Sequence, residues 1–503
     1  MRLHGVCARK REQSSRTPKK MSGTLNSVRG YLQGDGLAIL PEMELALFAI
    51  GLFIFSGWKE SWGRAWNAAL ALAGVAFSGY TVWIVHTRIA ARGDFAGLNE
   101  SVLADSSFVF FAAVLLAGTA LAILLLVDEA RVSARVHALM LTAAAGMLLM
   151  VSGVHLASIF VGFELVTGSV FLIAATMQTQ QGGSGSAWIS GPLLIAGVIA
   201  SAILACGFVV LYRITGAANL GQIAFVFGLP AQKGGPPPYP LLTGVAFALV
   251  LAGICAKFAV LPFQPWNIAK DEGRGRAQRA LVSGPVLVAA FVLLLRLAVV
   301  VFAIRSGYRR AAFVGLAVAA VLAGALSMLR RMPWPRFLGY AAVVQAGLLM
   351  LAAGAQNDDG LGAAAFLSLV VVFAVAGGFA AADAARDAQL PRRAEVICRA
   401  VLLATLAGVP LTAGFIARRE AWNALRHAGP AYLAWISALA GVPVLYGGIR
   451  AIAANSDRSP DGSERQHGSL ALLFVLTASV FVCLAAGLYS ELFLRFARYA
   501  FGI

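Results

Sequence analysis

Apolar residues run along this chain in blocks of about 17–25, each long enough to cross a bilayer as a helix. About fourteen such blocks are read. They lie at 37–56, 65–85, 106–127, 136–151, 154–177, 188–212, 241–262, 280–303, 311–329, 337–354, 361–382, 396–416, 430–449 and 468–490. No segment alternates apolar and polar residues as a half-buried strand would. The predicted fold class is therefore all-α: a polytopic bundle whose helices satisfy their own backbone groups. The polar stretches between blocks are short. The longest, 86–105, 213–240 and 450–467, are too small to be domains, so residues 21–503 are read as a single transmembrane domain and function is placed in the membrane.

Composition agrees: 59% of residues are hydrophobic, 13% are charged and the mean hydropathy is +0.80. The formal charge is +17, with seven Lys/Arg and only Glu12 in residues 1–20. No apolar core follows within signal-peptide length, so this extension does not read as a secretory signal. It reads as a disordered basic tail or a start-site artefact, since Met21 opens a plausible chain of its own. The remaining Lys/Arg fall mostly in short loops, where the positive-inside rule places them, so nucleic acid is not an expected partner and the lipid bilayer is. The five cysteines have neither disulfide nor metal spacing, and no Gly-rich phosphate loop or His/Cys cluster occurs. No cofactor or metal is expected in this chain.

A few polar residues interrupt the apolar blocks. Glu164 stands alone in "ASIFVGFELVTGSVFLIAATM", and Lys257 precedes Pro262 and Pro265 in "AGICAKFAVLPFQPW". A lone charge in hydrocarbon costs several kcal/mol, on the order of 3 on insertion scales, so such residues pair or line water. A Glu–Lys pair whose separation changes alters the lysine's affinity for a proton, and so can move one. The alternative is a static ion pair that fixes helix register. A second interruption is "LAGVPLTAGF", with Gly408, Pro410 and Gly414. Two broken helices in corresponding halves of a transporter mark an ion path between inverted repeats; ordinary kinks are the plainer reading. Arg296 is expected to snorkel toward a headgroup. Glu42 and Glu44, in "LPEMELAL", are expected near the interface, facing a partner or lipid, and Asp383 at a solvated span end.

In order along the chain, "LPEMELA", "GFELVTGSVFLIAA", "LYRITGAANLGQIA", "AKFAVLPFQPW", "SGPVLVAAFVLLLR", "RFLGYAAVVQAG" and "LAGVPLTAGF" resemble the subunit N family of bacterial NADH-quinone oxidoreductase, respiratory complex I. That family belongs to the wider group of antiporter-like membrane subunits. The resemblance runs from about Leu40 to the C-terminus. It implies a fourteen-helix fold with two inverted five-helix repeats and broken seventh and twelfth helices. It also implies coupling of quinone reduction to proton translocation in the bacterial inner membrane. Glu164 matches the family's fifth-helix glutamate and Lys257 its seventh-helix lysine, while Arg418 stands where the twelfth-helix lysine is found. NADH, flavin, iron–sulfur centres and quinone would belong to partner subunits of the complex, and the other membrane subunits and the quinone pool are the implied partners.

The departures from the pattern are specific. Val286 replaces a lysine after Gly-Pro, Gln264 and Gln345 replace histidines, and Ala341 and Ala342 replace serines. Arginine stays protonated under almost any condition, so Arg418 is a fixed charge rather than a relay. Two further readings therefore remain: a cation/proton antiporter or hydrogenase-type membrane subunit, and a structural paralogue that no longer pumps.

Overall fold

The computed structural model describes residues 36–58, 64–127, 129, 132–180, 186–232, 239–257, 275–302, 307–384, 391–456 and 470–502. The basic segment 1–20 lies outside them, as do Pro262, Gln264 and Pro265. Eighteen helices follow one another in the described chain. They are α1 (Leu40–Trp58), α2 (Arg64–Arg92), α3 (Ser106–Leu126), α4 (Ala134–Ser152), α5 (Leu156–Gln180) and α6 (Ser186–Thr215). Next come α7 (Leu220–Gln232), α8 (Pro240–Lys257), α9 (Arg276–Val301), α10 (Gly307–Ser327), α11 (Trp334–Ala353) and α12 (Asp358–Ala384). The last six are α13 (Arg392–Ala407), α14 (Ala413–Ala428), α15 (Ala431–Leu439), α16 (Gly441–Ser456), α17 (Leu470–Leu488) and α18 (Ser490–Tyr499). Eleven helices among the described residues are long and apolar enough to cross a membrane, α15 and α16 together forming one of them. The other expected spans fall on α1, α8 and the broken pair α13–α14.

Two expectations are corrected. The stretch 86–105 contains a small antiparallel hairpin, β1 (Phe95–Gly97) with β2 (Val102–Ala104). Its three-residue strands are too short to show an alternating pattern, and its turn holds Leu98, Asn99 and Glu100 at positive φ. The stretch 213–240, read as a loop, contains α7; thirteen residues of moderate apolarity fall below a spanning block.

Close approach of backbones sets the interior geometry. A Cβ on Gly146 of α4 would lie 2.8 Å from the Gly162 carbonyl of α5, and one on Gly162 would lie 2.9 Å from the Gly146 carbonyl. The two helices therefore touch main chain to main chain. Gly347 of α11 meets α10 the same way, a Cβ there lying 2.8 Å from the Ala317 carbonyl. Residues two positions away point roughly to the opposite side of an α-helix. Glu164 thus faces away from α4, and Gln345 faces away from α10.

The long helix α9 is not regular. It carries π-turns at Val282–Val286 and Leu297–Val301. The first contains Pro285, which has no N–H to give and whose ring crowds the preceding turn, so the wider turn accommodates it. Pro285 packs against Gly118 of α3, where a Cβ would overlap both Pro285 and Val372 of α12.

Candidate functional site

Glu164 is partly buried, about 12 Å along α5 at the usual helical rise. Lys257 is the last residue of α8, about 25 Å along it. One turn earlier, Gly253 presses α8 against α6, with a Cβ only 2.8 Å from the Leu204 backbone nitrogen. The backbone of the last turn is thereby fixed, while the Lys257 side chain and the chain that follows lie outside the described residues.

The second interruption is a true break. α13 ends at Ala407, and Gly408 adopts φ 73°. Val409 N–H donates to the Ala404 carbonyl (2.8 Å) and Gly408 N–H to the Thr405 carbonyl (3.1 Å). These two bonds form a Schellman turn, which glycine favours because it carries no Cβ. Leu411 follows at φ 72°, and Thr412 leads into α14. A helix end leaves its last carbonyls unpaired. Here the Leu406 carbonyl accepts from both Gln345 Nε2 and Arg418 Nη2, each at 2.7 Å. The structure therefore brings together Arg418 and Gln345, from two different helices, on one backbone oxygen. Both side chains are buried, and among the described residues no carboxylate pairs with Arg418.

Between α8 and α11 the interior is apolar. Ile254 and Cys255 of α8, Leu287, Ala290, Phe291 and Leu294 of α9, and Ala346 and Met350 of α11 line one small pocket. Val286, where the resemblance would place a lysine, is 3% exposed and part of the core. Ser283 beside it is partly buried.

Other membrane charges sit differently from expectation. Arg296 does not snorkel. Its Nη2 donates to Asp105 Oδ2 (3.0 Å) and Ser107 Oγ (3.2 Å), and its Nη1 to the Ser152 carbonyl (3.4 Å). A carboxylate at the start of α3 offers a shorter path to neutralisation than a headgroup. Glu42 faces inward, buried, and accepts from Ser152 Oγ at 2.8 Å; Glu44 accepts from Thr81 Oγ1 at 2.8 Å. Buried Arg399 pairs with Glu395 one turn earlier (2.8 Å) and donates to the Ala381 carbonyl.

Residues 153–443 match the family model described as NADH:quinone oxidoreductase/Mrp antiporter, TM. The chain belongs to this NADH:quinone oxidoreductase/Mrp antiporter family. It is a multi-pass inner-membrane protein with the antiporter-like fold of two inverted five-helix repeats, and its twelfth expected span is broken between α13 and α14. Over 94% of its length it is 27% identical to a protein named NADH-quinone oxidoreductase subunit N 1 from Koribacter versatilis, of which it covers 96%. It is 25% identical to subunit N 2 from Solibacter usitatus, over 93% of this chain and 98% of that one. In fold it is similar to a chain of respiratory complex I from Thermus thermophilus (TM-score 0.73, 23% identity, 90% and 98% covered). It is also similar to a chain of the Mrp complex from Dietzia sp. (TM-score 0.78, 19% identity, 91% and 96% covered).

Against this family pattern, sequence reasoning missed the partners that lie far off in the chain. Asp105 is 191 positions from Arg296 and Ser152 is 110 from Glu42. It also missed Glu420, buried on α14, which pairs with Arg419 (2.8 Å) and with Arg498 of α18 (3.5 Å). Only the acidic character of Glu420, directly after Arg418 and Arg419 in α14, gave a signal. The Leu406 carbonyl gave none, because a main-chain acceptor has no letter in a sequence.

Proposed function

We propose that this chain is a membrane-arm subunit of a proton-translocating NADH-quinone oxidoreductase. It couples quinone reduction elsewhere in the complex to proton movement, using Glu164 and Lys257. The observation that carries this reading is the match over nearly the whole chain to proteins named NADH-quinone oxidoreductase subunit N. The position of Glu164 supports it: an ionisable group about 12 Å into an apolar helix, turned away from the α4 contact. In this mechanism Glu164 acts on Lys257 as a neighbouring charge. When the two approach, the lysine holds its proton more tightly; when they separate, it releases it. Arg418 supplies a charge that does not titrate. NADH oxidation and electron transfer belong to partner subunits that carry flavin, iron–sulfur centres and quinone. Glu164→Gln tests the reading: the complex should assemble, and acidification of inverted membrane vesicles should fall. Wild-type acidification would reject the role of Glu164.

A second reading has its own observation. The pocket between α8 and α11 is lined by apolar residues and cysteine alone, and Val286 is packed. Neither conducts protons as it stands, which favours a structural paralogue that has kept the fold without pumping. The antiporter reading shares the fold of the Mrp complex chain.

A further inference from the structure

Exposed arginines gather where the end of α10 meets α16. α10 ends at Ser327, and Leu329, Arg330 and Arg331 follow it, all exposed. α16 presses on this end, since a Cβ on Gly447 would lie 2.9 Å from Met328 Cβ. Arg450, one turn after Tyr446 on α16, donates through Nη1 to the Leu329 carbonyl (2.9 Å) and to Tyr446 Oη (2.9 Å). That carbonyl belongs to the peptide bond joining Leu329 to Arg330. Arg330, Arg331 and Arg450 therefore stand together at the ends of two spans. Among the described residues none of them pairs with a carboxylate. An apolar stripe leads up to them along each helix. Leu322, Leu326 and Leu329 recur at helical spacing along α10 and its end, and Val442, Leu445 and Ile449 along α16, all exposed.

We propose that this junction is a binding site for one anionic phospholipid. Its phosphate sits among Arg330, Arg331 and Arg450, and its acyl chains lie along the two stripes. Arg450 is the preorganised member. Its two bonds, both through Nη1, hold the guanidinium beside the Tyr446 ring, 5.2 Å from the centroid, and leave the Nε–Nη2 edge free of protein partners among the described residues. That edge is a fork whose parallel N–H groups match two phosphate oxygens. Charge alone would suit a free phosphate as well, but stripes that run into the membrane from the arginines serve only a ligand with tails. A zwitterionic headgroup brings its own cation, which unpaired arginines repel; an anionic one does not. The positive-inside rule puts such an arginine cluster on the cytoplasmic face, and basic pockets between spans on that face hold anionic headgroups. The proposal does not depend on the proton-translocation reading.

The test is photocrosslinking of the assembled complex in detergent with phosphatidylglycerol that carries a diazirine in one acyl chain. Labelled peptides are mapped by mass spectrometry. Label is expected on residues 322–329 and 442–449. Unlabelled phosphatidylglycerol should compete it away, while phosphatidylcholine and inorganic phosphate at the same concentration should not. Arg330→Gln together with Arg331→Gln should weaken the binding about fivefold for each arginine removed, about twenty-fivefold for both. Arg450 stays in place because it also joins α16 to the end of α10. Thermal inactivation at the wild-type temperature checks that the variant is folded. Should the double variant fail to assemble, the two single variants decide, at about fivefold each. Label absent from both stretches, equal competition by phosphatidylcholine, competition by inorganic phosphate, or unchanged affinity in the folded variants overturns the site.

Discussion

Two regions of this membrane bundle occupy comparable places in its two halves and are built from opposite chemistry. Around α5 and α8 stand Glu164 and Lys257, both able to gain or lose a proton. Around α11 and α14 stand Gln345 and Arg418, neither of which can do so near neutral pH. The backbone scaffolding is alike: a helix is pressed main chain to main chain on its neighbour, at Gly162 and at Gly347, and two positions away on the other side it carries a polar side chain, partly buried Glu164 in one case and buried Gln345 in the other. Between the regions lies the apolar layer of Ile254, Phe291 and Met350. In the second region Gln345 and Arg418 are both fixed to one backbone oxygen, and the carboxylate of that region, Glu420 of α14, is held by Arg419 and Arg498. A fold can keep its helix geometry while its titratable groups are exchanged, because helix packing and proton chemistry depend on different atoms.

The comparison breaks most sharply at Lys257. Lys257→Met removes the protonatable group and is expected to lower proton translocation about a hundredfold, a change of about 2.7 kcal/mol at the usual tenfold per 1.4 kcal/mol. Lys257→Arg keeps the charge of the proposed pair with Glu164 and should lose less. Acidification of inverted vesicles, scaled to the amount of assembled complex, measures both. Small and equal effects would erase the distinction between the two regions.

Next in size is the layer between them. Val286→Lys restores the residue type that the family pattern shows there. In a packed, dry setting the new charge has no partner, and an unpaired buried charge costs about 3 kcal/mol or more. The variant should therefore lower the amount of assembled complex in the membrane. Assembly at the wild-type level, with faster translocation, would show that water reaches Val286 and that the layer opens during turnover.

Much of this arrangement was legible in the sequence. Spans show themselves because about twenty apolar residues in a row have few soluble uses. Glu164 and Lys257 show themselves because an isolated charge in such a run is costly. The break at Gly408 was visible from Gly, Pro and Gly in one apolar stretch. What stayed hidden depends on distant residues or on main-chain atoms. Arg296 read as a snorkelling residue because its own helix supplies no acid; its partner Asp105 lies on α3. Glu42 read as interfacial from its place near the start of α1, yet it turns inward to Ser152. The meeting of Gln345 and Arg418 on Leu406 could not be read at all, since the acceptor is a carbonyl exposed only by the end of α13.

A smaller effect sharpens the second region. If Arg418 contributes a fixed charge, Arg418→Lys should leave translocation within about threefold of wild type, while Arg418→Gln should lower it about tenfold. Equal rates in wild type and Arg418→Gln would mean that the region carries no functional charge. A gain in Arg418→Lys over wild type would mean that a titratable group is still useful there, and the contrast between the halves would then reflect a loss.

The smallest expected effect comes from a pair that serves neither region, Arg296 with Asp105, and it supplies the reference for a static ion pair. Asp105 has two jobs in the structure. Its Oδ1 accepts from the Phe108 N–H at 2.7 Å, capping α3, and its Oδ2 pairs with Arg296 at 3.0 Å. The side chains are 10% and 21% exposed, so the pair is mostly screened from solvent. Asn caps helices about as well as Asp, so Asp105→Asn keeps the cap and removes only the charge. It should lower the stability of the subunit by about 1–2 kcal/mol, the range for a hydrogen bond to a charged group turned neutral. Asp105→Ala also removes the cap and should cost about 1 kcal/mol more. Thermal inactivation of the assembled complex measures both losses. Neither substitution should change the number of protons moved per NADH oxidised, because the pair is static and lies outside the proposed route through Glu164 and Lys257. A stoichiometry lowered by Asp105→Asn would place Arg296 and Asp105 on the proton path, and a buried ion pair could then no longer be told from a relay by its geometry.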